Sequence, residues 1–389
     1  MKTLLSRMND GNYSRLAVRL CFLIIAAVTF TSCTCLNVKK VEGDFDGLKA
    51  ALNRTQSKGT LRLLLVHGMT DHQAGWSSNL VSGLTTRLHL VLDPASGSKT
   101  TYKRQTQSMG TVQVSQFTNS LATSKLRVYE LTWSDVTRPW KTNQFTNDES
   151  HAHQSERVWV NRRLKTSLMN DGFGDAVLYA GHFRENMQYP IMRAVAQMLN
   201  DGLNPDDEVA IVTTSLGSYM TLDTLARMSQ GFPILNEATV QTDEVHRLIQ
   251  QTTQLFMLAN QIPLLELSDV SNQLDVATSP KSASMKASHG LKGFLSERQK
   301  VLQAVSSPNF DTARWKLRVV VISDPNDILS YPLAAKDVAN SNPLDISVLN
   351  VLISVERYAI LGVFAWPKTA HAGHDKSSGV LDLMVNGHP

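Results

Sequence analysis

The sequence predicts an α/β fold, a mostly parallel central sheet with helices on both faces and a candidate lid insertion. Three observations carry this. Leu61–Val66, Val209–Val212, Leu255–Asn260 and Leu317–Ile322 are near-continuous apolar runs, as expected of strands buried on both faces. Helical patterns lie between them; Ile191, Ala194, Val195, Met198 and Leu199 recur along one helix face,. Each run also leads directly into small or polar residues, where the strands of a parallel sheet deliver chemistry.

The 389 residues are 42% hydrophobic and 19% charged, enough for one large domain or two modest ones,. No internal repeat or linker divides them, so the expected organisation is a leader at 1–32, a lead-in at 33–58 and a folded domain at 59–389. The formal charge is +4, but Lys2, Arg7, Arg15, Arg19 and Asp10 all fall in the leader, and +1 remains without them. A basic surface for nucleic acid is therefore not expected.

The leader places those basic residues before the apolar run Leu20–Val28, too short for a comfortable membrane span,. Small residues follow, the order of a secretory signal. Phe30-Thr31-Ser32-Cys33 resembles the lipobox of bacterial lipoproteins, with Phe30 in place of the usual leucine. The resemblance implies lipidation of Cys33 and anchoring in the bacterial envelope without a spanning helix. Thr34, rather than aspartate after that cysteine, resembles outer-membrane lipoproteins if the source is Gram-negative. The three cysteines are Cys21, Cys33 and Cys35. The domain thus has no disulfide framework, cysteine metal cluster or cysteine nucleophile, and a packed core must hold it.

In chain order, 34–58 reads as a polar tether and then a first helix. The strand Leu61–Val66 runs into His67-Gly68-Met69-Thr70-Asp71-His72. Residues 92–118 suggest a polar hairpin or surface excursion, and Leu126–Trp133 a strand. Residues 134–175 are charged; His151 and His153 within them lack a second ligand cluster and read as loop histidines. A helix over Pro190–Leu199 stops at Asn200-Asp201-Gly202. After the strand Val209–Val212 comes a helix with Tyr219, Leu222 and Ala226 on one face, and Asp223 within it reads as solvated or capping. Residues 268–312 interrupt the rhythm with a Ser/Lys-rich stretch and a helical segment near Leu295–Val305, either a lid over the site or an ordinary connecting helix. A last helix runs from Val380 towards Gly387.

The chemistry gathers at strand ends. Ser215 follows its strand at once, and Gly217 allows a sharp turn into the helix. A serine there is pushed outward beside the first helical N–H groups, which can stabilise an oxyanion. A serine N-cap is the plainer alternative. A serine nucleophile needs a base, and the base an acid to fix its tautomer. Ser215, Asp327 and His371 occur in that chain order, with Asp324 and His374 as alternates. Asp327 is preferred because a proline follows a few residues later and Asp324-Pro325 looks like a turn start. His371 is preferred because it leaves a longer loop before the last helix. Glu266 and Asp269 are outside candidates for the acid.

Together, His67-Gly68 after a strand, Ser215-Leu216-Gly217-Ser218, Asp324-Pro325-Asn326-Asp327 and Ala370-His371 resemble the lipase/esterase-type serine hydrolases of the α/β-hydrolase superfamily, over residues 60 to 389. The resemblance implies an α/β-hydrolase fold and an acyl-enzyme on Ser215, with His371 as base and Asp327 orienting it. The N–H groups of Leu216 and Met69 would bind the oxyanion, with Thr70 as the alternative to Met69. Thr213 stands where the family has glycine, which bears on the turn's geometry. The implied partners are an acyl-ester or lipid substrate and, through the anchor, a membrane; no cofactor and no metal are called for. A thioesterase or acyltransferase would use the same triad, and a non-catalytic binding scaffold is the alternative of a different kind. A nucleotide enzyme is disfavoured, because no Gly-x-Gly-x-x-Gly follows a strand.

Overall fold

The computed structural model describes residues 33–150, 155–237, 240–269, 290–305, 314–334, 346–360 and 363–388. The leader and the His151/His153 pair lie outside them. The strands are β1 (Cys33–Cys35), β2 (Lys39–Val41), β3 (Phe45–Asp46), β4 (Leu61–Val66), β5 (Val91–Arg104), β6 (Gln107–Thr118), β7 (Lys125–Thr132), β8 (Glu208–Thr214), β9 (Thr252–Leu258), β10 (Leu317–Ser323), β11 (Ile346–Ile353), β12 (Tyr358–Ile360) and β13 (Gly387–His388). Nine of them form one sheet in the order β2-β11-β10-β9-β8-β4-β7-β6-β5. From β7 to β11 every neighbouring pair is parallel. The β5–β6 hairpin and β2 add antiparallel edges.

The helices are α1 (Leu48–Arg54), α2 (Ser78–Arg87), α3 (Arg138–Phe145), α4 (Trp159–Leu164), α5 (Gly174–Ala180), α6 (Arg184–Asn200), α7 (Leu216–Ser229), α8 (Thr242–Gln251), α9 (Ile262–Leu265), α10 (Gly290–Val305), α11 (Pro367–Ala372) and α12 (Ser378–Asn386). The strand period of two sorts the core into two layers. Leu64, Val66, Ile211, Leu255, Met257, Val319 and Val321 pack under α6, α7, α8 and α10. Leu63, Leu65, Ala210, Val212, Phe256, Val320 and Ile322 face α1, α2 and α12. Helices therefore cover both faces of a mostly parallel sheet, as the apolar runs predict, and the layout agrees with the α/β-hydrolase fold that the resemblance implied.

Two expectations change, for the lead-in and for Asp223, and of the two readings of 268–312 the described helix takes the plainer one. The 33–58 lead-in is built into the fold: β2 pairs antiparallel with β11, β1 with β12 and β3 with β13, and Leu48, Ala51 and Leu52 of α1 are buried. Its partners lie near the other end of the chain, so its own polar sequence carries no sign of them. The described helix of 268–312, α10, packs on α7 and α8 as a member of the helical layer; Leu291 and Phe294 are core residues. The rest of that interval lies outside the described residues. Asp223 is neither solvated nor capping. α7 is enclosed on the sheet, and the carboxylate accepts hydrogen bonds from Tyr179, from Arg184 Nε at 2.8 Å and from Gln188 Nε2 at 2.6 Å.

Candidate active site

β4 lies beside β7 on one side and β8 on the other, so the chain reverses its winding direction there. Such a switch point opens a crevice at the carboxyl ends of the strands. The register sets Val66 opposite Thr213, and Thr214 opposite Leu258. The residues following β4 and β8 therefore emerge side by side.

Ser215 occupies the corner between β8 and α7. Its amide still donates to Leu258 O at 2.8 Å, continuing the ladder, but its backbone turns to φ 54°, ψ −127°. A non-glycine residue there is strained, and such strain concentrates where a side chain must be aimed. Gly217 makes the corner feasible: a Cβ at that position would lie 2.4 Å from His67 O. Gly68 does the same from the other side, since its Cβ would lie 2.7 Å from Ser215 Cβ. Thr213 does not spoil the turn. Its hydroxyl lies 2.8 Å from Ser218 Oγ, so the extra side chain is hydrogen-bonded within the corner.

The structure brings Ser215, His371 and Asp327 together. Ser215 Oγ lies 3.0 Å from His371 Nε2. His371 Nδ1 lies 2.9 Å from both Asp327 oxygens. An ionised carboxylate can only accept, so Nδ1 carries the proton and Nε2 is free to accept from the serine hydroxyl. Asp327 also accepts the Leu329 amide at 2.9 Å. Burial by itself would raise its pKa; the hydrogen bond and charge of His371, with the Leu329 amide, outweigh that and leave it below the usual carboxylate value.

The alternates fall elsewhere. Asp324 accepts the Val355 and Glu356 amides at 2.6 and 2.9 Å and the Asn326 amide at 2.7 Å, tying its own loop to the turn after β11. His374 is buried behind the triad, Nδ1 3.1 Å from His371 O. Its Nε2 has no partner among the described residues, and burial pushes its pKa down to about 4. Glu266 pairs with Lys292 at 3.1 Å.

The loop after β4 supplies the other half of the crevice. Thr70 N–H, the alternative oxyanion donor, is taken by Asp175 Oδ2 at 2.9 Å. The Met69 and Leu216 amides have no acceptor among the described residues. The loop is clamped from several directions. His67 Nε2 accepts the Trp133 amide at 3.0 Å, so Nδ1 bears the proton and donates to Gly68 O at 2.7 Å. Burial, aided by nearby His72, pushes this imidazole well below its ordinary pKa and keeps it neutral. Asp175 joins Lys141 Nζ at 2.9 Å, and buried Glu130 accepts the Gly75 and Ser77 amides. His67, Asp175, Lys141 and Glu130 were not foreseen as supports; a charged residue inside an apolar strand pattern, as at Glu130, was the one available signal.

A second unforeseen part lies beside the crevice. Between α4 and α5, Lys165–Phe173 is π-helical, a form found mostly at functional sites. A Cβ on Gly172 would touch Met69 and Thr70 side chains at 3.8 and 3.9 Å. At the other end, the ring of Trp159 meets that of Trp366, 6.5 Å away at 84°, just ahead of α11 and His371. This helical segment reaches from the oxyanion loop to the histidine loop, a cap drawn from the charged stretch 134–175. Among the described residues, no group of three or more His, Cys, Asp and Glu is placed to hold a metal ion.

No family model matches the chain, and no curated protein matches it. Among solved structures it is similar to acyl-protein thioesterase 2 of Zea mays, at 8% identity over 81% of this chain and 89% of that one, with a TM-score of 0.29. A likeness at that score leaves the fold to rest on the sheet itself. Its parallel strands, two helical layers and switch point are those of an α/β-hydrolase fold.

Proposed function

We propose that the chain is a membrane-tethered serine hydrolase that cleaves carboxylic esters of the lipase/esterase type through an acyl-enzyme on Ser215. The observation that carries the reading is the continuous hydrogen-bond line from Ser215 Oγ through His371 to Asp327, with the serine on a strained corner. Ser215 Oγ attacks the ester carbonyl carbon as its proton passes to His371 Nε2, and Asp327 stabilises the imidazolium. The carbonyl oxygen, now negative, is received by the Leu216 and Met69 amides. The C–O bond to the alcohol breaks as His371 returns the proton to the leaving oxygen. Water then attacks the acyl-enzyme, giving its proton to His371, and the acid departs with Ser215 restored. Tethering rests on the sequence at Cys33, which would place the site at the bacterial envelope surface.

The test is treatment of the full chain with a fluorophosphonate probe and mapping of the adduct by mass spectrometry. An adduct on Ser215, absent from Ser215→Ala and reduced at least a thousandfold in rate in His371→Ala, is expected. Folded wild-type protein that takes up no probe would overturn the reading and favour a binding scaffold.

A further inference from the structure

The cap carries an outward apolar face. Val158, Trp159, Val160 and Leu164 are 67%, 51%, 48% and 46% exposed, and Phe364 and Trp366 beside them are each 45% exposed. Val160 and Leu164 are four residues apart, within α4, and Met169 follows five later, within the π-helical stretch. Those are the repeats that keep side chains aligned in the two helix types, so the face continues to Met169, which is 51% exposed. Phe364 and Trp366 join it edge to face, their centroids 5.4 Å apart. Contiguous exposed apolar surface of this kind marks an interaction site.

Two further observations say what covers it. The first is charge. The Arg163 guanidinium lies 5.4 Å over the Trp159 ring, and Lys368 is exposed on α11; neither has a carboxylate partner among the described residues. Aromatic rings with cations beside them suit the boundary between acyl chains and anionic headgroups. The second is where the chain enters. Lys39 of β2 pairs with Ile353, at the carboxyl end of β11, and Cys33 pairs with Ile360. The N-terminal segment thus meets the fold at the sheet edge that bears Ser215. Phe364 is four positions on from Ile360, so Cys33 lies within about 20 Å of this face, counting ~3.6 Å per step and one strand spacing.

We propose that this face of the cap, with Phe364 and Trp366, seats on an anionic lipid bilayer as a second attachment beside the N-terminal segment. The active-site edge is thereby turned toward the membrane. The inference rests on the hydrolase reading for its purpose, delivery of membrane-resident esters to Ser215; the docking itself requires no reactive serine.

The experiment uses the full chain with vesicles of phosphatidylcholine and phosphatidylglycerol (7:3) carrying bilayer-brominated acyl chains, and reads quenching of tryptophan fluorescence. Wild type is compared with V158D/V160D/L164D and, should that variant fail to fold, with R163E/K368E; residues 1–32 are the same in all. Quenching at least threefold greater in wild type than in either folded variant, and weaker in pure phosphatidylcholine, is expected. Equal quenching in wild type and variants overturns docking, as does a wild-type dimer whose tryptophans stay unquenched, since a second copy would then be the occupant. Fluorophosphonate labelling of the same samples separates the two readings. Labelled Ser215 without differential quenching sinks the docking alone, and differential quenching without labelling sinks the hydrolase alone.

Discussion

Asp327→Asn is the sharpest perturbation of the candidate triad, because it changes one atom's hydrogen-bonding sense and little else. In the native site both carboxylate oxygens lie 2.9 Å from His371 Nδ1, and Oδ1 also accepts the Leu329 amide. An asparagine would keep its oxygen on the Leu329 amide and turn its NH2 toward Nδ1. Two donors cannot face each other, so the imidazole proton moves to Nε2, the atom 3.0 Å from Ser215 Oγ. A protonated Nε2 cannot accept the serine proton, and the imidazolium formed during attack loses its counter-charge. For this tautomer error in a serine-protease triad the loss is ~10⁴-fold, about 5.4 kcal/mol at 1.36 kcal/mol per decade. The assay is the pseudo-first-order rate of fluorophosphonate labelling at pH 7.5, with near-UV circular dichroism to confirm unchanged packing. A well-folded Asp327→Asn protein labelled within tenfold of wild type would refute the reasoning. Asp324→Asn is the matched control: it disturbs the loop tied to Val355 and Glu356, so it should lower stability by about 1–2 kcal/mol and leave the labelling rate within tenfold.

Three other outcomes follow from the surroundings of the site. The buried His374 has its pKa pushed down to about 4, against about 6.5 in the unfolded chain. The unfolded state therefore binds the extra proton first, and stability present above pH 6.5 is lost as pH falls towards 4. The slope is at most about 1.4 kcal/mol per pH unit; His374→Asn should lose about 2 kcal/mol less than wild type between pH 7.5 and 5 in urea titrations, and parallel pH profiles would remove this role. Thr213→Val should cost about 1–2 kcal/mol by stranding the Ser218 hydroxyl, and Thr213→Gly at least as much by adding backbone freedom; unchanged denaturation midpoints would contradict the hydrogen-bonded corner. Asp175→Asn removes the nearer charge partner of buried Lys141, leaving Asp71 at 3.9 Å, and weakens the hold on Thr70, for a loss of about 3 kcal/mol and slower Ser215 labelling at temperatures where the variant remains folded. Intact stability would show that the pair does not clamp the loop.

β4, β8, β9 and β10 were legible because each is buried on both faces and so writes an uninterrupted apolar run, and Met69, Ser215 and Asp327 follow such runs within a few positions; β11, only partly buried, was not among the expected strands. Ser215 is the next residue after β8, and Asp327 is four past the end of β10. β1 and β2 were illegible for the opposite reason. They are short, and what makes them strands is pairing with β12 and β11 some three hundred residues away. Buried charges were misread in the same way. Asp223 sits in a helix where a carboxylate normally faces water, and its burial is explained by donors on other helices, Tyr179, Arg184 and Gln188. The cap escaped notice because Trp159, Val160, Leu164 and Met169 are exposed, leaving Leu168 and Phe173 to pack against the core, too short a stripe to stand out from the surrounding charges.

These supports bear on why the crevice keeps its shape. Two residues of the site carry unfavourable backbones: Ser215 at φ 54° and the β-branched Thr70 at φ 81°. Each such residue costs on the order of 1–3 kcal/mol unless its surroundings over-determine it. At Ser215 the determinants come from the sheet and helix, through the Leu258 carbonyl and the close approach at Gly217. At Thr70 they come from outside the sheet: Asp175 takes the amide, Lys141 holds Asp175, and the neutral His67 binds the loop to Trp133. Thr70 N–H is thereby removed from competition, and Met69 is left with an unoccupied amide next to the serine. The loop's polarity is thus set by residues of α3 and α5, the elements that flank and continue into the cap.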